Sequence, residues 1–192
     1  MTHDTLQGQF VNLRPLNVAD AALTLDWRRA ARARFLNAGA ASVEQQAAWI
    51  AARPASEYNY IIELKNGHAI GMLSLTGIDR ANRHGEPGRF LIGDEAAAQG
   101  VPAAVEAMKL LYELAFDQLE LVRVCGIVAA NNTLMVKWQK FMGMQEEGRL
   151  RNHLCQDGAF HDAVFLGLLV EDYRKVTLPR MKLLIAAAQP KK

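Results

Sequence analysis

"GDEAAAQGVPAAVEAMKLL", Gly93 to Leu111, decides how this chain is read. Its first residues end a run that reads as a strand, "GRFLIGD". Val105, Met108, Tyr112 and Ala115 then recur at helical spacing on one face. Between them is a loop of small residues with one glycine, Gly100, and a proline, Pro102, suited to the first turn of a helix. Strand, short loop and helix in that order make an anion site. The first amides of a helix have no intrahelical acceptor, and the dipole there is positive. The alternative is helix punctuation without a ligand. Pro102 has no amide to offer, and no Lys or Arg precedes Lys109 in the stretch.

Upstream, "FVNLRPL" (Phe10–Leu16) alternates as a strand does. "VADAALTLDWRRAARARFL" predicts one helix, with Asp20 in its first turn and Leu23, Trp27 and Ala30 on one face. "SVEQQAAWIAAR" predicts a second, with Ser42 as N-cap and Gln45 completing a capping box. "YNYIIELK", Asn66-Gly67 and "HAIGMLSLTGI" predict a hairpin with a tight primed turn. Downstream, "LVRVCGIVA" predicts a central, buried strand, and "NTLMVKWQKFMG" a helix ended by Gly143. "EEGRLRNHLCQDGAFHDAVFLGLL" predicts two strands about Asp157-Gly158. "VEDYRKVTLPRMKLLIAAAQ" predicts a terminal helix, broken or kinked near Pro179, with the final "PKK" frayed. A meander followed by a crossover gives an α/β (α+β) class: a mixed sheet with helices on its faces.

The 192 residues are 51% hydrophobic and 22% charged, the balance of one globular domain. A net charge of +2 supplies no general basic field for nucleic acid. No apolar run reaches membrane-spanning length, and "MTHDTLQGQF" lacks a signal pattern, so a cytoplasmic protein is expected. Cys125 and Cys155 match no metal spacing and read as buried thiols, not a disulfide; no metal is expected. Trp27, Trp49 and Trp138 read as core residues in preference to cofactor-stacking ones. Arg174, Lys175, Arg180 and Lys182 read as a solvated helix face. The apolar "MKLLIAAA" wants a partner surface, in this chain or in a homodimer.

From Val11 to Leu169 four pieces stand in order: "VNLRPLNVAD" with "LDWRR" after it, "YNYIIELKNGHAIGMLSLTGID", "EPGRFLIGDE", and "AANNTLMVKWQKFMGMQEEGRLRNHLCQDGAFHDAVFLGLL". Together they resemble the GNAT acetyltransferases, in particular the branch of ribosomal-protein-alanine and amino-sugar N-acetyltransferases. The resemblance implies a GNAT domain over 1–170 and a helical extension over 171–192. It implies acetyl-CoA as acyl donor and a small-molecule amine, such as an amino sugar, as acceptor, with no metal, nucleic acid or membrane partner. A protein N-terminus as acceptor, or a GNAT-shaped module without catalysis, are the alternatives. The family's loop, Arg/Gln-x-x-Gly-x-Gly/Ala, falls on Ala97–Pro102 and keeps only Gly100. Its polar first position is Ala97, with Gln99 as the substitute grip. The family's cofactor contacts fall on Leu91, Ile92 and Gly93, on Gln99, Gly100, Val101, Ala103 and Ala104, and on Asn132, which serves equally as a helix cap. The position of the family's proton-donating tyrosine falls on Gln139, whose amide cannot donate one. A splay between the strands near Leu91–Gly93 and Val124–Ile127 is also implied.

An amine attacking a thioester must first lose a proton to a carboxylate or histidine. Glu86 in "HGEPGRF" is the candidate base, held extended by Pro87, with an exposed strand-end glutamate as the plainer reading. His84 faces the same side and is next in order. Asp162 matches an acid of the branch's DG-x-x-x-D pattern and reads as structural or substrate-orienting, with His153 and His161 near it. Arg29, Arg34 and Asn37 fall where the family builds its acceptor wall and would bind a phosphate or carboxylate there. Solvated helix charge is their plainer role.

Overall fold

Residues 3–36, 39–156 and 158–188 are described by the computed structural model. Its strands are β1 (Leu6–Gln7), β2 (Val11–Pro15), β3 (Tyr58–Leu64), β4 (Ala69–Asp79), β5 (His84–Ile92), β6 (Arg123–Ala129), β7 (Gln145–Gln156) and β8 (Ala159–Leu169). They form one sheet in the order β1-β2-β3-β4-β5-β6-β8-β7. Every neighbouring pair is antiparallel except β5 and β6, which are parallel. The crossover between those two carries α3 (Ala103–Glu113), so the sheet is mixed as the pattern predicts.

Alternation along β3 and β4 sends side chains to both faces. Tyr60, Ile62, Leu73 and Leu75 join Ala107, Met108, Leu111 and Tyr112 of α3 in the main core. Ile61 and Met72 point the other way, onto Trp27 of α1 (Ala21–Arg29) and Leu91. α2 (Val43–Ala51) is tied to α1 by the buried bond from Gln46 Nε2 to Thr24 Oγ1, 3.1 Å. Ser42 caps α2, and Gln45 Oε1 reaches back to the amide of Ala41. α4 (Thr133–Phe141) is capped by Asn132 and ends before Gly143, at φ 104.

Several expectations change. β1 was not read from the sequence. The first helix is divided: 3-10 turns at Val18–Asp20 and Ala31–Ala33 flank α1, because Ala30 turns to ψ 148. Asp20 accepts from the Asn17 amide in a capping box that starts the 3-10 turn at Val18, and α1 follows it from Ala21. The buried face is therefore Ala21, Thr24, Leu25 and Trp27, and Leu23 and Ala30 are exposed. The β3–β4 turn has three loop residues. Leu64 donates to His68, and Gly67 takes the left-handed position alone. Asp157 of the last hairpin and the terminal "PKK" lie outside the described residues.

The C-terminal stretch continues through Pro179. An α turn at Val170–Asp172 and a π-helical turn at Tyr173–Thr177 lead into α5 (Leu178–Ala187). Pro179 sits in the first turn of α5, where its missing amide costs little. Tyr173, Met181 and Ile185 are buried in this chain, while Leu183 of the same apolar stretch is 69% exposed.

Candidate active site

β5 and β6 pair only at His84↔Arg123 and Gly85↔Val124. Beyond that, β5 stays with β4, and β6 stays with β8 as far as Ala129↔Ala163. The two strands splay, in the place the family resemblance implies, and their facing edges have no ladder across the gap. A cleft of about 1380 Å³ opens there, with Glu86 to Ile92 on one bank and Ile127 to Ala129 on the other. This gap is why β6, central in the sheet, is half-buried over most of its length and not buried as expected.

The register of β4 against β5 passes from Met72↔Leu91 to Ser74↔Gly88, so Arg89 and Phe90 form a bulge opposite Leu73. Arg89 has φ 51, in the left-handed region. Its Nη1 donates to Glu57 Oε2 at 2.8 Å and to Asn59 Oδ1 at 2.7 Å. Desolvation pushes the Glu57 carboxyl up, but the bonds from Arg89 and Asn59 and the charges of Arg89 and Arg53 outweigh it and hold it below its ordinary value. Glu86 lies at the apex of the splay. Its Cγ would be 3.4 Å from a Cβ on Gly126, and its carboxylate has no ion pair or hydrogen bond among the described residues. The missing side chain at Gly126 makes room for it.

At the open end, Asp94 shapes the loop before α3. Its Oδ1 accepts from the Ala97 amide at 2.9 Å, its carbonyl from Ala98, and its Oδ2 contacts His68 Nε2 at 2.8 Å. The Ala97 bond, then His68, holds the Asp94 carboxyl below its ordinary value. Gly100 has φ 76 and ample space around its α-carbon. Val101 donates inward to the Ala98 carbonyl and is not a ligand donor as it stands. Ala103, Ala104 and Val105 open α3, and their amides have no intrahelical acceptor.

The opposite face of the sheet contributes Arg28, Arg32 and Arg34 and, from α2, Trp49. Arg32 pairs with Glu95 at 2.5 Å, and Arg34 lies over the Phe35 ring at 4.7 Å. Burial, then the charge of Arg89, holds the Arg28 guanidinium below its ordinary value. The Trp49 ring lies 4.4 Å from Arg53 Cζ and 5.1 Å from Arg89 Cζ. On the α4 side Trp138 stacks on Phe90 at 5.7 Å, and Gln139 Oε1 is buried without a partner.

A splayed parallel pair, a bulged strand beside it and a helix start at its open end coincide with a family match: the model for the acetyltransferase (GNAT) domain matches residues 11–145. The chain belongs to the GNAT family. It is 34% identical over 110 residues to the "Putative ribosomal N-acetyltransferase YdaF" of Bacillus subtilis (strain 168), a match spanning 57% of this chain and 58% of that protein. A GCN5-related N-acetyltransferase from Brucella melitensis has the same fold, with a TM-score of 0.81 at 22% identity over 100% of this chain and 92% of that one. A chimera of the spermidine N-acetyltransferase SpeG from Vibrio cholerae and hSSAT gives 0.76 at 20%, covering 87% and 99%. GNAT acetyltransferases use acetyl-CoA as acyl donor.

In this GNAT fold Glu86, Leu91, Ile92, Val101, Ala103, Ala104, Asn132 and Arg34 line the cleft. Gly93, Gln99 and Gly100 do not. Gly93 packs its α-carbon on the Trp27 indole and donates its amide to Ile70, and Gln99 is exposed. Arg29 points away and donates to the Ala41 carbonyl at 2.6 Å; Arg28, one residue earlier, lines the wall instead. Asn37 lies outside the described residues. Asp162 accepts from the Asn152 amide at 3.0 Å and approaches Arg149 at 3.7 Å, holding the bend in β7 outside the cleft. His84 pairs with Asp79 at 3.8 Å, His161 contacts Asn131 at 3.4 Å, and His153 is exposed; none lines the cleft. Trp27 is core, but Trp49 and Trp138 are cleft walls, left half-buried by the gap in the sheet. Cys155 is exposed and Cys125 half-buried, both free. Among the described residues no cluster suits a metal ion, and no helix is long and apolar enough to cross a membrane.

Proposed function

We propose that this GNAT protein transfers an acetyl group from acetyl-CoA to a primary amine of a small molecule, such as an amino sugar. The observation that carries the reading is the splay itself, with the unpartnered Glu86 carboxylate at its apex and the first amides of α3 at its open end. Acetyl-CoA supplies the activated acyl group, as a thioester, when bound. The amides of Ala103, Ala104 and Val105, with the positive end of α3, suit its phosphates. The free edges of Leu91 and Ile92 and of β6 suit the amides of an extended arm. Asn132 caps α4 beside the same gap. Glu86 takes the proton of the acceptor ammonium, directly or through water.

Two observations favour second readings. Pro102 and the inward Val101 amide thin the phosphate grip, as in a module with reduced catalysis. The curated relative's name favours a ribosomal protein N-terminus as acceptor. Calorimetry with acetyl-CoA tests the donor; absence of binding at millimolar concentration rejects the transferase reading. In turnover assays with an amino sugar and a peptide amine, Glu86→Gln lowers kcat by roughly 10²–10⁴-fold, more than it raises KM. Full activity of the variant would remove Glu86 from the role.

A further inference from the structure

On the sheet face of α1 and α2, two buried polar side chains at the cleft are left unsatisfied by the fold. Gln46 of α2 is 2% exposed and lines the cleft. Its Nε2 lies 3.1 Å from Thr24 Oγ1. That hydroxyl gives its one proton to the Asp20 carbonyl at 2.8 Å, so from Gln46 it accepts. The carboxamide is thereby fixed with its nitrogen on Thr24. Its Oε1 bonds nothing among the described residues and is not one of the oxygens shut off from solvent. The wall thus holds an idle acceptor in a set orientation. Ser74 of β4 is 1% exposed, and its Oγ has no partner. It lies between Asn59 and Gly88, on the sheet face away from Leu75 and α3. The Asn59 carboxamide is taken at both ends, by Arg89 and by Glu57. Gly88 lines the cleft and has no side chain to offer. A Cβ there would meet Ser74 Oγ at 3.9 Å and, among the described residues, nothing else within 4 Å beyond its chain neighbours. The space over Gly88 is therefore where the hydroxyl can find a partner. Glu86 stands two residues along the same face of β5, about 6–7 Å away. The carboxylates lining the cleft are Glu86 and Glu95, and Glu95 is held by Arg32 at 2.5 Å, which leaves negative charge for one ammonium. Gln46 Oε1 calls for a donor, and a neutral oxygen does not compensate a second desolvated cation; a hydroxyl fits it.

We infer that the acceptor is an amino alcohol whose hydroxyls meet Gln46 Oε1 and, over Gly88, Ser74 Oγ, while its nitrogen reaches Glu86. The inference rests on the transferase reading for the amine and on Gln46 and Ser74 for the hydroxyls. Acetyl transfer by the full chain is followed by mass for cyclohexylamine, its vicinal hydroxy derivative, glucosamine, spermidine and an alanyl peptide. Glucosamine binding in the presence of CoA, and CoA binding itself, are followed by calorimetry. The hydroxylated amines exceed cyclohexylamine in kcat/KM by about ten- to a hundredfold. Gln46→Met, Ser74→Ala and Gly88→Ala, the last filling the opening, each cut that preference by about tenfold, chiefly through KM, and leave CoA affinity unchanged. A merely structural fault would slow all the amines alike. Should Gln46→Met, which frees Thr24, fail to fold, Ser74→Ala removes an atom that bonds nothing and carries the test. Cyclohexylamine, spermidine or the peptide matching the hydroxylated amines overturns the inference and spares the transferase reading, as does a preference that survives the variants. Glucosamine bound through Ser74 with no acetyl transfer to any amine upholds the hydroxyl seat and sinks the transferase reading. Neither binding nor transfer sinks both.

Discussion

Glu106 is a carboxylate only 4% exposed, on the face of α3 that meets the sheet. Among the described residues it makes no ion pair. Its oxygens accept the amides of Gln9, Phe10 and Val11 at 2.8, 2.7 and 2.8 Å, which fixes the bend between β1 and β2. Gly8 belongs to the same device, since a Cβ there would strike the Val11 carbonyl and the Glu106 carboxyl. Glu106→Gln turns an NH₂ toward backbone donors, so about 2–3 kcal/mol of stability is lost. Urea denaturation should show a lower midpoint at unchanged slope; no shift would mean that the amides find other acceptors. Glu57 gives a pH signature. Its folded pKa lies below the ordinary 4.5, so its stabilising effect is complete above that value and is lost as pH falls through the lower folded value. The gap in Tm between the parent and Glu57→Gln is therefore widest near neutral pH and closes as pH falls through the lowered folded value. A gap constant with pH would show that the Arg89 contact carries no charge-dependent stability.

The loop before α3 keeps its shape with Gly100 alone of the family pattern, because the Asp94 carboxylate and carbonyl hold the Ala97 and Ala98 amides. What it lacks is a donor at Pro102, which stands immediately before the first helical amide. Pro102→Gly adds that amide and loosens the unfolded chain. Acetyl-CoA should then bind about tenfold more tightly while stability falls by about 0.4–1 kcal/mol. An unchanged Kd measured by calorimetry would mean that the amide at this position faces away from the donor. Most of this local structure was legible, since strand alternation, the Ser42 cap and the Gly143 stop are written in neighbouring residues. The bulge at Arg89 was not. It is set by how Met72 and Ser74 of β4 pair across to Leu91 and Gly88, and no local pattern announces a left-handed arginine. A non-local cause likewise placed Arg28 and not Arg29 on the cleft wall: the break at Ala30 and the packing of Trp27 set the phase of α1. Of the two roles read for Asp162, structural or substrate-orienting, its bond from the Asn152 amide at a β7 register shift fits the structural one, and that partner too is non-local.

The helical extension from residue 171 shares the core of the rest of the chain. Tyr173 stacks on Phe116 at 4.8 Å and meets Tyr112 edge-on at 5.8 Å, and both partners lie at the C-terminal end of the α3 stretch. Thr177 Oγ1 donates to the Met142 carbonyl, just past α4, and a Cβ on Gly143 would collide with it. The extension thus steadies the two helices whose first turns border the cleft, α3 at Ala103 and α4 at Asn132. Met181, fully buried in the main core, is the place to test this. Met181→Ala removes buried apolar atoms and leaves a cavity, at a cost of about 2–5 kcal/mol. Because the side chain packs into the same core as α3 and the sheet, calorimetry should show one unfolding transition moved as a whole to lower temperature. A second, earlier transition, with the main one unmoved, would show that residues 171–188 melt on their own. Acetyl-CoA titrations of the variant, well below its Tm, carry the argument to the site. If the extension holds α3 and α4 in place, affinity falls along with stability, although Met181 lies outside the cleft. Affinity equal to the parent's would confine the role of the extension to stability.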